Sequence, residues 1–205
     1  MIFGIDFDNT IVCYDKLFHQ EAVAQGLVPE SVPARKNEIR NYLRNKGNED
    51  LWTSLQGYIY GPGIRGAEPF PFVFDFFKKC LSLQIKTYII SHKTQYPYAG
   101  GQYNLHESAL AWLEQNRFLE VLSTGLGRDD VIFAPTKERK LLEIEDKHCS
   151  HFIDDLPEFL DETSFPKEVC KILFDPNDSC YSESRFQRIS SWSQALDLVE
   201  KVAAK

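Results

Sequence analysis

What most constrains the fold of this chain is a set of short apolar runs that each finish in polar or acidic residues. "IFGID" (2–6), "IKTYIIS" (85–91), "VIFAP" (131–135), "HFIDD" (151–155) and "CKILFD" (170–175) are rich in Ile, Val and Phe, and none exceeds seven residues. Runs so short and so apolar read as strands buried on both faces. Between them lie stretches with helical spacing: "FVFDFFKKCLSLQ", "LHESALAWLEQN", "TKERKLLEIEDK" and the closing "SWSQALDLVEKV". Asn104 and Thr136 are the expected N-caps of the second and third of these. Strands alternating with helices specify βαβ units, so the expected fold is α/β, a doubly wound parallel sheet with helices on both faces. In such sheets ligands bind beyond the carboxyl ends of the strands. Asp6, Ser91 and Asp154 each stand at or just after such an end, where polar groups do nothing for core stability.

Composition narrows the function classes. With 205 residues, 43% hydrophobic and 13% aromatic, the chain has ample material for one medium domain with a small insertion, and wholesale disorder is excluded. A formal net charge of −7 speaks against a general nucleic-acid binder or an anionic-membrane binder, both of which need surplus Lys and Arg. A local basic pocket for a small phosphate stays compatible with it. Cys13, Cys80, Cys149, Cys170 and Cys180 form an odd set without a CxxC pair. With neither a leader pattern nor an apolar window of about 18 residues, free thiols in a reducing cytoplasm are expected.

"DFDNT" after the first strand, "IIS" closing a middle strand, Lys137 at a helix start and "FIDD" closing a late strand resemble, in that order, the four motifs of the haloacid dehalogenase-like (HAD) superfamily. The first motif, DxDxT, is specific; the others draw their weight from order and spacing. The resemblance implies a Rossmann-like core and phosphoryl transfer through an aspartyl phosphate. Asp6 would be the nucleophile and Asp8 the general acid and base. Thr10 would hold the loop by hydrogen bonds, and Ser91 and Lys137 would bind the phosphate. Lys140 is a rival to Lys137, since "TKERK" offers both; Lys137 is preferred because it adjoins the helix cap. His92 and Lys93, next to Ser91, are candidates for substrate contacts.

The resemblance also accounts for the crowded acids. Mg²⁺ favours a few carboxylates, waters and substrate phosphate oxygens. It would be held by the side chains of Asp6 and Asp154 and the main-chain carbonyl of Asp8, with Asp155 a second ligand or an orienting neighbour. The expected activity is hydrolysis of small phosphomonoesters. A phosphotransferase or mutase, a phosphatase of macromolecular termini, or a non-catalytic binding protein of the same fold are the alternatives. An acid two positions after the nucleophile speaks against dehalogenation.

Residues 14–66 exceed an ordinary strand–helix connection. They are expected to form a small, mostly helical cap on a core made of 1–13 and 67–205, and such a cap favours a small phosphorylated metabolite as partner. "GPGIRG" (61–66) formally matches a dinucleotide-binding glycine pattern but no helix opens directly after it, so a hinge is expected there. "HCSH" (148–151) has no companion ligand pair for zinc and is expected to pack.

Overall fold

All five apolar runs become neighbouring strands of one sheet in the computed structural model, which describes residues 1–177 and 186–203. In chain order the elements are β1 (Ile2–Ile5), β2 (Val12–Cys13), α1 (Asp15–Ala24), α2 (Lys36–Asn45), α3 (Glu49–Tyr60), β3 (Glu68–Pro69), α4 (Val73–Ser82), β4 (Lys86–His92) and α5 (Leu105–Gln115). There follow α6 (Val121–Thr124), β5 (Val131–Ala134), α7 (Lys137–Asp146), β6 (His151–Asp154), α8 (Pro157–Leu160), β7 (Cys170–Phe174), β8 (Gln187–Ile189) and α9 (Trp192–Ala203). No helix of the described residues is long and apolar enough to cross a membrane.

The chain divides into two units. The first comprises Met1–Ile11, Pro69–Lys93 and Glu114–Lys205. Its sheet runs β5-β4-β1-β6-β7-β8, and every pairing is parallel. This is the α/β architecture expected; β8, a short polar strand, is an addition. Side chains alternate across the sheet with a period of two. Ile90, Phe152 and Leu173 point to one face, where Leu141 and Ile144 of α7 and Phe159 and Leu160 of α8 cover them. Phe3 and Phe174 point to the other, against Phe76 of α4 and Trp192 of α9. Gly4 shows how tight the first face is, because a Cβ there would lie 2.5 Å from Phe152 Cδ2 and 3.0 Å from Cys149 Sγ.

The second unit comprises Val12–Glu68 and Thr94–Leu113. The expected insertion, 14–66, falls inside its first segment; its second segment lies within 67–205, the stretch expected to be core. Two observations explain why it belongs here. Trp112 Nε1 donates to the Ala67 carbonyl at 2.9 Å, and Gly57 of α3 lets the following loop approach so closely that a Cβ would lie 2.7 Å from the Ala99 oxygen. Phe18 stacks on Trp52 at 5.0 Å between ring centres and makes an edge contact with Tyr60, forming the aromatic centre of the unit. The tract 34–58, which reads as one helix in sequence, is broken into α2 and α3 at Gly47, where φ is +73°. The expected hinge at 61–66 is a short 3₁₀ turn, Pro62–Gly66, wholly inside this unit, with Ile64 buried.

Asn104 and Thr136 cap their helices as expected: Asn104 Oδ1 accepts from the His106 and Glu107 amides, and Thr136 Oγ1 from the Arg139 amide. His151 stacks on Phe3 and Cys149 is buried, so the "HCSH" tract packs. Cys13, Cys80, Cys149 and Cys170 are free thiols, while Cys180 lies outside the described residues.

Candidate active site

β1 lies between β4 and β6, so the carboxyl ends of these three strands form one rim. Register fixes who meets there. Ile5 pairs with Ile89 and with Ile153, and the Asp6 amide donates to the Ile153 carbonyl at 2.9 Å. Asp6 therefore lies beside Asp154, and Ser91 is the next-to-last residue of the neighbouring strand β4. The period of two does the rest. Residues 4 and 6 of β1 share a face with residues 152 and 154 of β6, the face that α7 covers.

From α7, Lys140 reaches between the two acids. Its Nζ donates to Asp6 Oδ1 and to Asp154 Oδ2, both at 2.6 Å, and lies 4.2 Å from the centre of the Phe159 ring. Lys140, Asp6 and Asp154 are all buried. Burial alone would lower the Lys140 pKa, but the adjoining carboxylates of Asp154 and Asp6 outweigh it, and the ammonium is held charged above its ordinary range. For Asp6 burial dominates in the other direction. Loss of solvation, reinforced by Asp154 and Asp8 and opposed by Lys140, pushes its carboxyl from 3.8 up to about 7. Lys140 is a single charge set between two buried carboxylates, which leaves that pair short of positive charge.

That deficit fits a divalent ion. Carboxylate oxygens of Asp6, Asp154 and Asp155 lie within 4.8 Å of one another, the one such ligand group among the described residues. Oxygens at about 2.0–2.1 Å from Mg²⁺ are about 3–4 Å apart, so a small contraction would close the set. Asp154 Oδ1 also accepts from the Leu156 amide at 2.9 Å, which orients that carboxylate. The Asp8 side chain is outside this group.

The choice of lysine is corrected by this geometry. Lys137, preferred from the sequence because it adjoins the cap, has a side chain 41% exposed and 3.9 Å from Glu162. It sits one turn nearer the N-terminus of α7 than Lys140 and does not reach the acids. Ser91 is buried at the rim, its main chain level with Phe133 of β5. Thr10 is fully buried; its carbonyl accepts from Trp192 Nε1 at 2.9 Å, and its Oγ1 has no hydrogen-bond partner among the described residues. His92 Nε2 lies 3.2 Å from the Pro135 carbonyl, and burial together with nearby Lys140 and Lys137 lowers its pKa against the pull of that hydrogen bond. Lys93 is buried rather than presented to solvent, and its ammonium meets Asp8. Asp175, which ends β7 on the same sheet, is met by Arg188 at 2.6 Å.

No protein-family model matches the sequence, and no curated protein matches it. Solved structures do match over nearly their full length. A HAD-superfamily hydrolase from Ehrlichia chaffeensis has a TM-score of 0.55 at 12% identity, covering 98% of this chain and 96% of that one. A HAD family hydrolase from Deinococcus radiodurans with bound phosphate and sodium has a TM-score of 0.57 at 10% identity, covering 98% and 96%. YfnB of Bacillus subtilis, a HAD-hydrolase structure bound to magnesium, has a TM-score of 0.55 at 10% identity, covering 97% of each chain. The chain shares the fold of these structures.

Proposed function

We propose that this protein is a Mg²⁺-dependent hydrolase of small phosphomonoesters that carries the phosphoryl group transiently on Asp6. The observation behind this reading is the meeting of the Asp6, Asp154 and Asp155 carboxylates around one point at the sheet rim, with Lys140 between the first two. Two structural neighbours hold the two kinds of ligand this reading needs, phosphate in one and magnesium in the other.

Asp6 attacks phosphorus through a carboxylate oxygen as the ester P–O bond breaks, and Asp8 gives its proton to the departing alkoxide. Water then attacks the same phosphorus and passes a proton to Asp8. The P–O bond to Asp6 breaks, releasing phosphate and restoring both acids. Lys140 holds Asp6 and Asp154 against their mutual repulsion, and Ser91 offers a hydroxyl to a phosphoryl oxygen. The side chains of Asp6, Asp154 and Asp155 and the carbonyl of Asp8 would hold Mg²⁺, which when bound neutralises charge on the phosphoryl oxygens. A cap-type insertion after the first strand favours a small substrate over a macromolecular one.

The test is phosphate release from para-nitrophenyl phosphate with Mg²⁺, compared with Asp6→Asn. The variant should lose at least about 10³-fold in kcat with an unchanged circular-dichroism spectrum. Turnover at the parental rate would remove Asp6 from the role.

A further inference from the structure

The catalytic reading above leaves one buried cation without work. Lys93, just past the end of β4, is 85 residues from Asp8 in sequence, yet its Nζ lies 3.0 Å from Asp8 Oδ1 and 2.8 Å from Oδ2. The lysine side chain is 2% exposed and the aspartate side chain 18%. The seat is built from several directions. The Lys93 amide donates to the Ala134 carbonyl at 2.9 Å, continuing the β4–β5 ladder. Its ammonium sits 5.5 Å from the centre of the Phe7 ring, and that ring, itself fully buried, packs edge-on against Phe133.

Stripping water from an ammonium is costly, and an ion pair adds little net stability to compensate. A leucine or methionine would fill the same space against Phe7 without that cost. What a hydrophobe cannot do is grip both oxygens of the neighbouring carboxylate. We infer that Lys93 is a positioning residue: anchored by its own backbone and by Phe7, it fixes the direction in which Asp8 presents its carboxylate to the reacting phosphoryl group. The inference rests on the role given to Asp8 in the preceding subsection. Proton transfer demands a donor within hydrogen-bond reach, and a displacement of about 1 Å can cost about 10²-fold in rate.

The experiment is a double-mutant cycle on the full chain with para-nitrophenyl phosphate and Mg²⁺, using Lys93→Met, Asp8→Asn and the double variant. Lys93→Met should lower kcat by about 10- to 100-fold with KM within about threefold of the parent. The double variant should be no slower than Asp8→Asn alone, because Lys93 acts through Asp8. An unchanged kcat in Lys93→Met overturns the inference, as does a raised KM at normal kcat, which would make Lys93 a substrate ligand. Losses that multiply in the double variant overturn it too. If Lys93→Met fails to fold, Asp8→Asn/Lys93→Met removes both charges together. Its rate against Asp8→Asn then decides: equality supports positioning, and a further tenfold loss overturns it. Failure of the catalytic reading shows separately, as parental turnover in Asp6→Asn. An inactive Asp6→Asn beside an unimpaired Lys93→Met sinks the positioning role alone.

Discussion

Three residues separate Lys137 from Lys140, about 4.5 Å along the axis of α7. That rise moves an ammonium from a half-exposed position near Glu162 to a buried one between Asp6 and Asp154. Sequence offers both lysines on the same helical stripe, and the cap at Thr136 draws attention to the nearer. How far the first turn stands from the acids depends on how α7 seats against the sheet, which no local pattern encodes. Lys140→Met should cost kcat at least about 10²-fold. It should also destabilise the fold by about 3–5 kcal/mol, since two buried carboxylates lose the cation they share. Lys137→Met should stay within about twofold in kcat and about 0.5 kcal/mol in urea denaturation. Equal losses in the two variants would contradict the assignment. Lys93 was visible as a neighbour of Ser91, but its partner was not, because the contact spans 85 positions.

At the scale of elements, the strands that were legible are those whose alternation or apolarity admits no other reading. β1, β4, β5, β6 and β7 all coincide with the apolar runs. β8 escaped notice because Gln187–Ile189 is three residues long and mostly polar. The division of α2 from α3 falls at Gly47 and Asn48, a helix-stop signal present in the sequence, and the left-handed φ of Gly47 marks the turn. Two variants probe what was legible. Thr136→Ala removes the cap bond to Arg139 and should cost about 1 kcal/mol in thermal or urea unfolding. Gly4→Ala drives a methyl into Phe152 and Cys149 and should cost about 1–3 kcal/mol. An unaltered midpoint in Gly4→Ala would mean that this face can relax more than its packing implies.

For the whole molecule, the proposed Mg²⁺ would join Lys140 as a countercharge to the acids at the rim. EDTA should therefore act on stability as well as on turnover. At 100 times the dissociation constant, a bound ion adds about 2.7 kcal/mol, which for a chain of this size raises Tm by about 5–10 °C. Calorimetry of EDTA-treated protein with and without added Mg²⁺ reads this directly, and the rise should vanish in Asp154→Asn. Identical melting curves would count against a resident ion. The acid cluster was legible because each acid ends an apolar run. The membership of Thr94–Leu113 in the second unit was not, since Trp112 with Ala67 and Gly57 with Ala99 are contacts only folding brings about.

Placing β1 between β4 and β6 has a consequence for the growing polypeptide. β1 is translated before both of the strands that flank it, and the later of them, β6, ends only at Asp154. The residues of the second unit are all translated by Leu113, when β4 is already available to β1 but β6 is still to be made. Until then one edge of β1 keeps its backbone N–H and C=O groups unpaired, open to a strand from another chain.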